Sequence, residues 1–256
     1  MNIKPINLLS CAILIILLSS CVSQKKLIYL QNKEIAQKTS FINERNEDYK
    51  IQPGDNLYIR ITSFDEKTSL LFNSSDPRYT QNMNDIGVYL NSYAVSDDGT
   101  IDFPLAGKVN VHNLTIDEVK QEINEVLDEY LKETMVIVKL INFNITLLGE
   151  VNAPGQYKVY QEKINVFEAL AMSGDLGDFA NREKIKLIRQ TKNGVKIHEL
   201  DLTDQEFLGS DYYYLLPNDL IYVEPLKGKQ FTFANFPYAI VFSGISTLIL
   251  LLNYIK

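Results

Sequence analysis

Cysteine is almost absent: the 256-residue chain has two, Cys11 and Cys21, and residues 22–256 contain none. A disulfide scaffold, a thiolate metal site and a cysteine nucleophile are therefore excluded beyond position 21. That part of the chain must hold together by packing and hydrogen bonding. Histidine is nearly as scarce, with only His112 and His198. A histidine argues for a metal only beside a second ligand, and His198, on a strand face with Lys196, reads as solvated. An excess of basic charge is also missing, because 25 Lys and Arg face 32 Asp and Glu, net −7. Nucleic-acid binding requires a basic face to neutralise phosphates, so that class of partner is excluded. No catalytic constellation is legible either, and no cofactor motif. Asp97-Asp98 and Asp175…Asp178 sit beside glycine turns, where turn-forming aspartate is the commoner explanation. Glu150 and Asp219 qualify as glycosidase carboxylates only in that such pairs meet in space. Tyr212-Tyr213-Tyr214 reads as strand packing ahead of sugar stacking.

What the chain does have is two apolar ends. One positive charge at Lys4, an apolar stretch from Leu8 to Leu18 and small residues before Cys21 describe a secretory signal over residues 1–20. The stretch is too short to span a bilayer comfortably. Leu18-Ser19-Ser20-Cys21 resembles the lipobox of bacterial lipoproteins. That resemblance implies peptidase recognition through Leu18, Ser19 and Ser20, and acylation of Cys21 as the first mature residue. Cys11 would leave with the signal. Several acyl chains attach firmly to membrane lipid, since each buried methylene contributes about 0.8 kcal/mol. Val22 in place of Asp favours the outer membrane. At the other end, residues 236–255 carry no charge. As a helix this stretch would extend about 30 Å, a hydrocarbon core's thickness. Lys229 and Lys256 flank it, Tyr238 and Tyr254 mark its ends, and Pro237 fits a first helical turn. Ser243, Ser246, Thr247 and Asn253 share one side, with Leu250 inside the same stripe. Two readings stay open: a helix in a ring with a wet lumen, or a lone anchor whose small polar residues pack against a neighbour.

Between the ends, residues 21–48 are polar and aperiodic, as suits a tether. Pro53-Gly54 fits a type II turn, after which Leu57, Ile59 and Ile61 alternate with polar neighbours as in a half-buried strand. Residues 63–92 read as a long surface loop. Asp98-Gly99 predicts a hairpin. Thr115 and Glu118 form a capping box for a helix striped by Ile116, Val119, Ile123, Val126, Leu127 and Tyr130 and ending near Lys132. A strand over 135–140 follows. A second unit opens with a strand over 145–151 and a turn at Ala153-Pro154-Gly155. Asn165 and Glu168 cap a helix over 166–172 that Gly174 ends. A hairpin through Asn193-Gly194 joins strands 184–190 and 195–202. The unit closes with the stretch 216–223, which echoes residues 51–59. The fold class is α+β: two small units in tandem, 49–142 and 143–225.

In this order the motifs resemble the polysaccharide biosynthesis/export proteins, the outer-membrane polysaccharide exporters that include capsule translocons. Tyr49…Pro53-Gly54-Asp55, Asp98-Gly99-Thr100-Ile101…Pro104 and Leu114-Thr115…Glu118 match the export domain. Gly149-Glu150-Val151…Pro154-Gly155, Glu168-Ala169…Gly174 and Pro217…Asp219 match the soluble-ligand-binding β-grasp (SLBB) module. The resemblance implies a transporter that is not an enzyme. It also implies a homo-oligomeric, octamer-like ring, a polysaccharide substrate, an inner-membrane co-polymerase or tyrosine kinase as partner, and C-terminal helices passing through the outer membrane. Ser243, Ser246, Thr247 and Asn253 would then line the pore. The competing reading is a monomeric envelope lipoprotein whose β-grasp module binds a glycan or small ligand, with residues 236–255 a plain second anchor.

Overall fold

The computed structural model describes residues 26–33, 40–43, 49–73, 85–191, 194–231 and 236–254, without the side chains of Glu66, Gln230, Phe231, Leu252 and Asn253. Leu18, Ser19, Ser20 and Cys21 lie outside the described residues, as does the side chain of Asn253. Two hydrophobic cores are present, meeting at Leu140, which packs against both.

The first core begins at β1 (Asn56–Thr62), whose Leu57, Ile59 and Ile61 point inward. Helices α1 (Glu66–Leu71) and α2 (Asp85–Leu90) follow, then β2 (Tyr93–Ala94), β3 (Thr100–Phe103), β4 (Gly107–Asn110), α3 (Ile116–Leu127) and β5 (Met135–Leu140). Strand β1 lies between β2 and β5, antiparallel to both, with Ile59 opposite Val138. Val119, Ile123 and Leu127 bury one stripe of α3 in this core. The capping box is present in both directions: Glu118 N donates to Thr115 Oγ1 at 3.2 Å, and Thr115 N donates to the Glu118 carboxylate at 2.7 Å.

Three expectations for this unit need correction. Residues 63–92 are not simply a loop, since α1 and α2 form there. Asp65 caps α1 through Thr68 N, and Phe72 is fully buried, stacked on Phe103 at 6.0 Å. Phe72 and the neighbouring Asn73, whose side-chain amide bonds Ile61 N and Ile61 O at 2.9 Å each, anchor the α1 end of this aperiodic segment. The reversal at Asp98-Gly99 exists, with Gly99 N donating to Ser96 O at 2.8 Å. Yet the laddered partner of β3 is β4, because Pro104-Leu105-Ala106 makes a second turn, with Leu105 at φ +63°. Finally, α3 stops at Leu127, short of Lys132. The chain turns there so that Leu131 can bury itself, with Leu131 N donating to Leu127 O at 2.8 Å.

The second core is built on β6 (Asn144–Gly149), β7 (Gly155–Lys158), α4 (Val166–Met172), β8 (Ala180–Thr191), β9 (Gly194–Leu200) and β10 (Leu220–Pro225), with a 3₁₀ turn at Gln205–Gly209. The sheet order is β7-β6-β10-β8-β9, in which only β6 and β10 run parallel. Ile145, Leu147, Ile185, Leu187, Ile221 and Val223 face inward against Val166, Ala169 and Leu170 of α4. Asn165 and Glu168 form the second capping box, at 2.9 and 3.0 Å. Gly149 ends β6 at φ +88°, and an added Cβ there would collide with the carbonyl oxygen of Val223. Strand β8 is longer at both ends than the predicted 184–190. Strand β10 begins at Leu220, after a turn over residues 216–219.

That turn and the one before β1 are the same device used twice. Gln52 N donates to Asp55 Oδ2 (2.9 Å) and Asp55 N to Gln52 O (3.1 Å). Leu216 N donates to Asp219 Oδ2 (2.7 Å) and Asp219 N to Leu216 O (3.2 Å). The third residue is left-handed in each, Gly54 at φ +87° and Asn218 at φ +66°, conformations that glycine and asparagine tolerate best. Proline at the second position presets its own φ. Asp55 is 3 % exposed and Asp219 not at all.

The stretch read as a tether is docked over its described N-terminal part. Leu30 N and Gln31 N donate to Leu202 O (3.0 Å) and Thr203 O (2.7 Å). The Tyr29 hydroxyl donates to Asp175 (2.6 Å) while its ring packs edge-on to Phe167, and Lys26 and Lys33 pair with Glu183 and Asp201. One aromatic, two lysines and two backbone hydrogen bonds strap this aperiodic segment to the second domain.

Candidate functional site

The exposed apolar C-terminal helix and the carboxylates and tyrosines named above are the functional candidates. After β10, a 3₁₀ turn at Lys227–Phe231 is pinned by an ion pair between Lys229 and Glu150. Helix α5 (Tyr238–Tyr254) has 17 residues, about 25 Å at 1.5 Å per residue. It covers all but the ends of the expected 236–255 helix, and residue 255 lies outside the described residues. Among the described residues, no helix is long and apolar enough to cross a membrane. Pro237 lies just before the helix, not in its first turn: its carbonyl accepts from Ile240 N (3.1 Å) and Val241 N (3.3 Å). A residue with fixed φ and no N–H suits that edge.

The predicted lumenal residues lie on α5. Ser243, Ser246 and Thr247 share an arc of about 100°, and each hydroxyl donates back along the helix. Ser243 Oγ bonds Ile240 O (2.9 Å), Ser246 Oγ bonds Phe242 O (2.9 Å) and Thr247 Oγ1 bonds Ser243 O (2.8 Å). Their donors are satisfied locally, leaving a weakly polar, uncharged stripe. The opposite side carries Ile245, Leu248 and Ile249, all exposed. Asn253 falls outside the described side chains.

The residues weighed for sugar or acid chemistry are committed to structure. Asp219 accepts from Arg189 Nε (2.9 Å) and Nη2 (2.6 Å), and Glu150 holds Lys229. Asp98 binds Lys108 and Thr100, which hold its carboxyl down to about 2. Tyr213 packs on Phe167 and Phe207, and Tyr212 stacks on His198 at 4.0 Å. His198 is therefore half-buried, not fully solvated. Among the described residues no group of His, Cys, Asp and Glu is placed to hold a metal ion. Burial raises the carboxyl of Asp55, opposed by bonds from Gln52 N and Tyr49, and burial also raises the Tyr49 phenol, helped by the Asp55 charge.

Two α+β units in this order, a strapped N-terminal segment and an exposed apolar helix make up the described residues. Residues 43–141 match the polysaccharide biosynthesis/export protein family and residues 144–199 match the SLBB domain. Over residues 43–141 the chain is thus similar to the polysaccharide biosynthesis/export proteins, a family of transporters and not enzymes. It is similar to the EPS I polysaccharide export outer membrane protein EpsA of Ralstonia solanacearum, 31% identical over 107 residues. The EpsA of Ralstonia nicotianae is 30% identical over 107 residues. In both cases the match covers 40% of this chain and 28% of the relative. The chain thus spans well under half the length of the curated relatives it matches.

Proposed function

We propose that this chain is one subunit of an outer-membrane lipoprotein ring through which a secreted polysaccharide, capsular or extracellular, leaves the cell. The observation that carries the reading is where the two ends depart. Lys26, five residues after Cys21, pairs with Glu183 at 3.0 Å, and Leu226 N, on the way to α5, donates to Phe179 O at 2.7 Å. Residues 179 and 183 are about 13 Å apart along an extended chain. Cys21 can stand no more than about 18 Å from Lys26. These two contacts at one edge of the SLBB domain support a lipid on Cys21 and helix α5 acting on the same sheet of membrane.

At about 25 Å, α5 is short for an average bilayer, but the bacterial outer membrane is thinner than average, and short apolar segments are accommodated by local thinning or oligomerisation. In a ring, Leu248 and Ile249 face lipid, while Ser243, Ser246 and Thr247, with Asn253, face the lumen. An uncharged polar lining passes a long hydrophilic polymer without trapping it. Polymer reaches the ring from an inner-membrane co-polymerase or tyrosine kinase.

The test is oligomeric state in mild detergent together with polymer secretion. The proposal expects a ring of several subunits and loss of surface polymer on deletion. Cys21→Ala reduces both localisation and secretion. Ser246→Asp changes conduction with the ring intact, while Leu248→Asp impairs insertion. A monomer with unimpaired secretion on deletion overturns the reading and leaves the glycan-binding lipoprotein in its place.

A further inference from the structure

The two domains leave a cleft of about 580 Å³ between them, within the roughly 300–1,000 Å³ typical of small-ligand sites. Neither the export reading nor the family match assigns it a role. Its floor is the connection from β5 to β6, which is held rigidly. Asn56 N donates to Asn142 Oδ1 (3.0 Å), Asn142 Nδ2 donates to Gly54 O (3.1 Å), and Ile141 N donates to Asn56 O (3.0 Å). The cleft is therefore not a gap between loosely tethered bodies.

Its walls combine aromatic faces with a charge-balanced rim. Tyr49 contributes a ring from the first domain, its hydroxyl already donated to Asp55 at 2.9 Å. At the mouth stand Tyr89 from α2, 59% exposed, and Tyr160 from the second domain, 80% exposed. Large aromatic faces left this open on a folded unit mark contact sites. The rim carries Lys158 paired with Asp85 (3.0 Å) and Lys139 paired with Glu162 (2.6 Å). Two cations balance two anions, so the cleft does not select a strongly charged ligand. Both pairs are solvent-exposed and hold little energy, which lets their donors and acceptors turn to a ligand's hydroxyls. The Gln161 side-chain amide at the same edge has no hydrogen-bond partner among the described residues.

An apolar ligand would leave this polar rim unused, and a polyanion would find no excess of positive charge, because Asp85 and Glu162 offset Lys158 and Lys139. A pyranose fits both features, because it offers a flat C–H face to tyrosine rings and a girdle of hydroxyls to amides and ion pairs. Tyrosine supplies an apolar body and a polar tip together. We propose that the interdomain cleft binds two or three sugar residues of a neutral or weakly charged saccharide, a surface that the exported polymer touches in passing. The assignment rests on the polysaccharide reading. Affinity is weak, with a Kd on the order of 1 mM, since the cleft is open and wet on one side.

The experiment uses the full chain in detergent and di- to hexasaccharides made by partial hydrolysis of the producing cell's own secreted polymer. Binding is read by saturation-transfer NMR and calorimetry for wild type, Tyr89→Ala/Tyr160→Ala and a control, Ile197→Ala, on the opposite, open face of the SLBB sheet. Both tyrosines are surface residues, so the fold survives, and retained circular dichroism verifies it. The proposal expects binding by wild type and control, and weakening of about tenfold or more in the double variant, from two lost ring contacts. Binding unchanged in the double variant overturns the cleft assignment, as does absence of wild-type binding in cells whose secretion still depends on the chain; either result leaves the export reading standing. If deletion leaves secretion intact, the export reading falls, and the cleft proposal falls with it.

Discussion

Replacing Asp219 with alanine removes three contacts at once from the turn that feeds β10. Asp219 Oδ1 accepts from Arg189 Nε at 2.9 Å, and Oδ2 accepts from Arg189 Nη2 at 2.6 Å and from Leu216 N at 2.7 Å. The Asp219 side chain is 0% exposed and that of Arg189 only 16%. The variant strands a guanidinium in a place water barely reaches, and removing one partner of such a pair costs about 3–5 kcal/mol. A whole domain is held by only about 5–15 kcal/mol, so the SLBB unfolding transition should move strongly. The assay is urea unfolding of the full chain in detergent, followed by circular dichroism. Asp219→Asn should lose less, because it keeps an acceptor for Leu216 N. Arg189→Met combined with Asp219→Asn should recover at least about 2 kcal/mol over Asp219→Ala, since no charge is then left buried. The twin turn supplies the internal comparison. Asp55 leans on a neutral phenol, so Asp55→Ala should cost only about 1–3 kcal/mol, and in the other domain's transition. A loss below about 1 kcal/mol for Asp219→Ala, or a double variant as unstable as the single one, would refute the reasoning.

The capping boxes make a matched pair of predictions. Thr115→Ala and Asn165→Ala should each cost about 1 kcal/mol and combine additively, because they serve separate cores; strong non-additivity in thermal melts would mean the domains unfold as one. The Asp98 turn should respond to acid. Lys108 first, then Thr100, lower the Asp98 carboxyl from 3.8 to about 2, so its contribution is present above pH 3.8 and fades as pH falls through about 2. The Thr100 amide resonance should follow that titration and lose it in Asp98→Asn; an unchanged profile in the variant contradicts the assignment.

Local devices were readable without coordinates. Both capping boxes, the Pro53-Gly54 turn and the alternation of Leu57, Ile59 and Ile61 depend on residues within four positions of one another. Their physical causes are contained in the text of the chain. The resemblance between residues 51–59 and 216–223 was also visible, and it proved to be a shared hydrogen-bond pattern around two buried aspartates. The order of these signals pointed to the family whose model residues 43–141 match.

What was missed depends on distant partners. Nothing near Phe72 announces that it will stack on Phe103, so the 63–92 segment read as a loop. Tyr29 sits in an aperiodic stretch, and its partner Asp175 is 146 positions away. Arg189 and Asp219 meet only because β8 and β10 are neighbours in the sheet. Composition determined that the body is acidic and cysteine-free, while the order of residues determined that the ends are apolar and that two small units lie in tandem between them. Tertiary structure alone decided that the N-terminal strap and the root of α5 share one edge, and that a tyrosine-walled cleft opens between the domains. Pairing across 30 to 150 positions is set by the sum of both cores, and no window of sequence contains it.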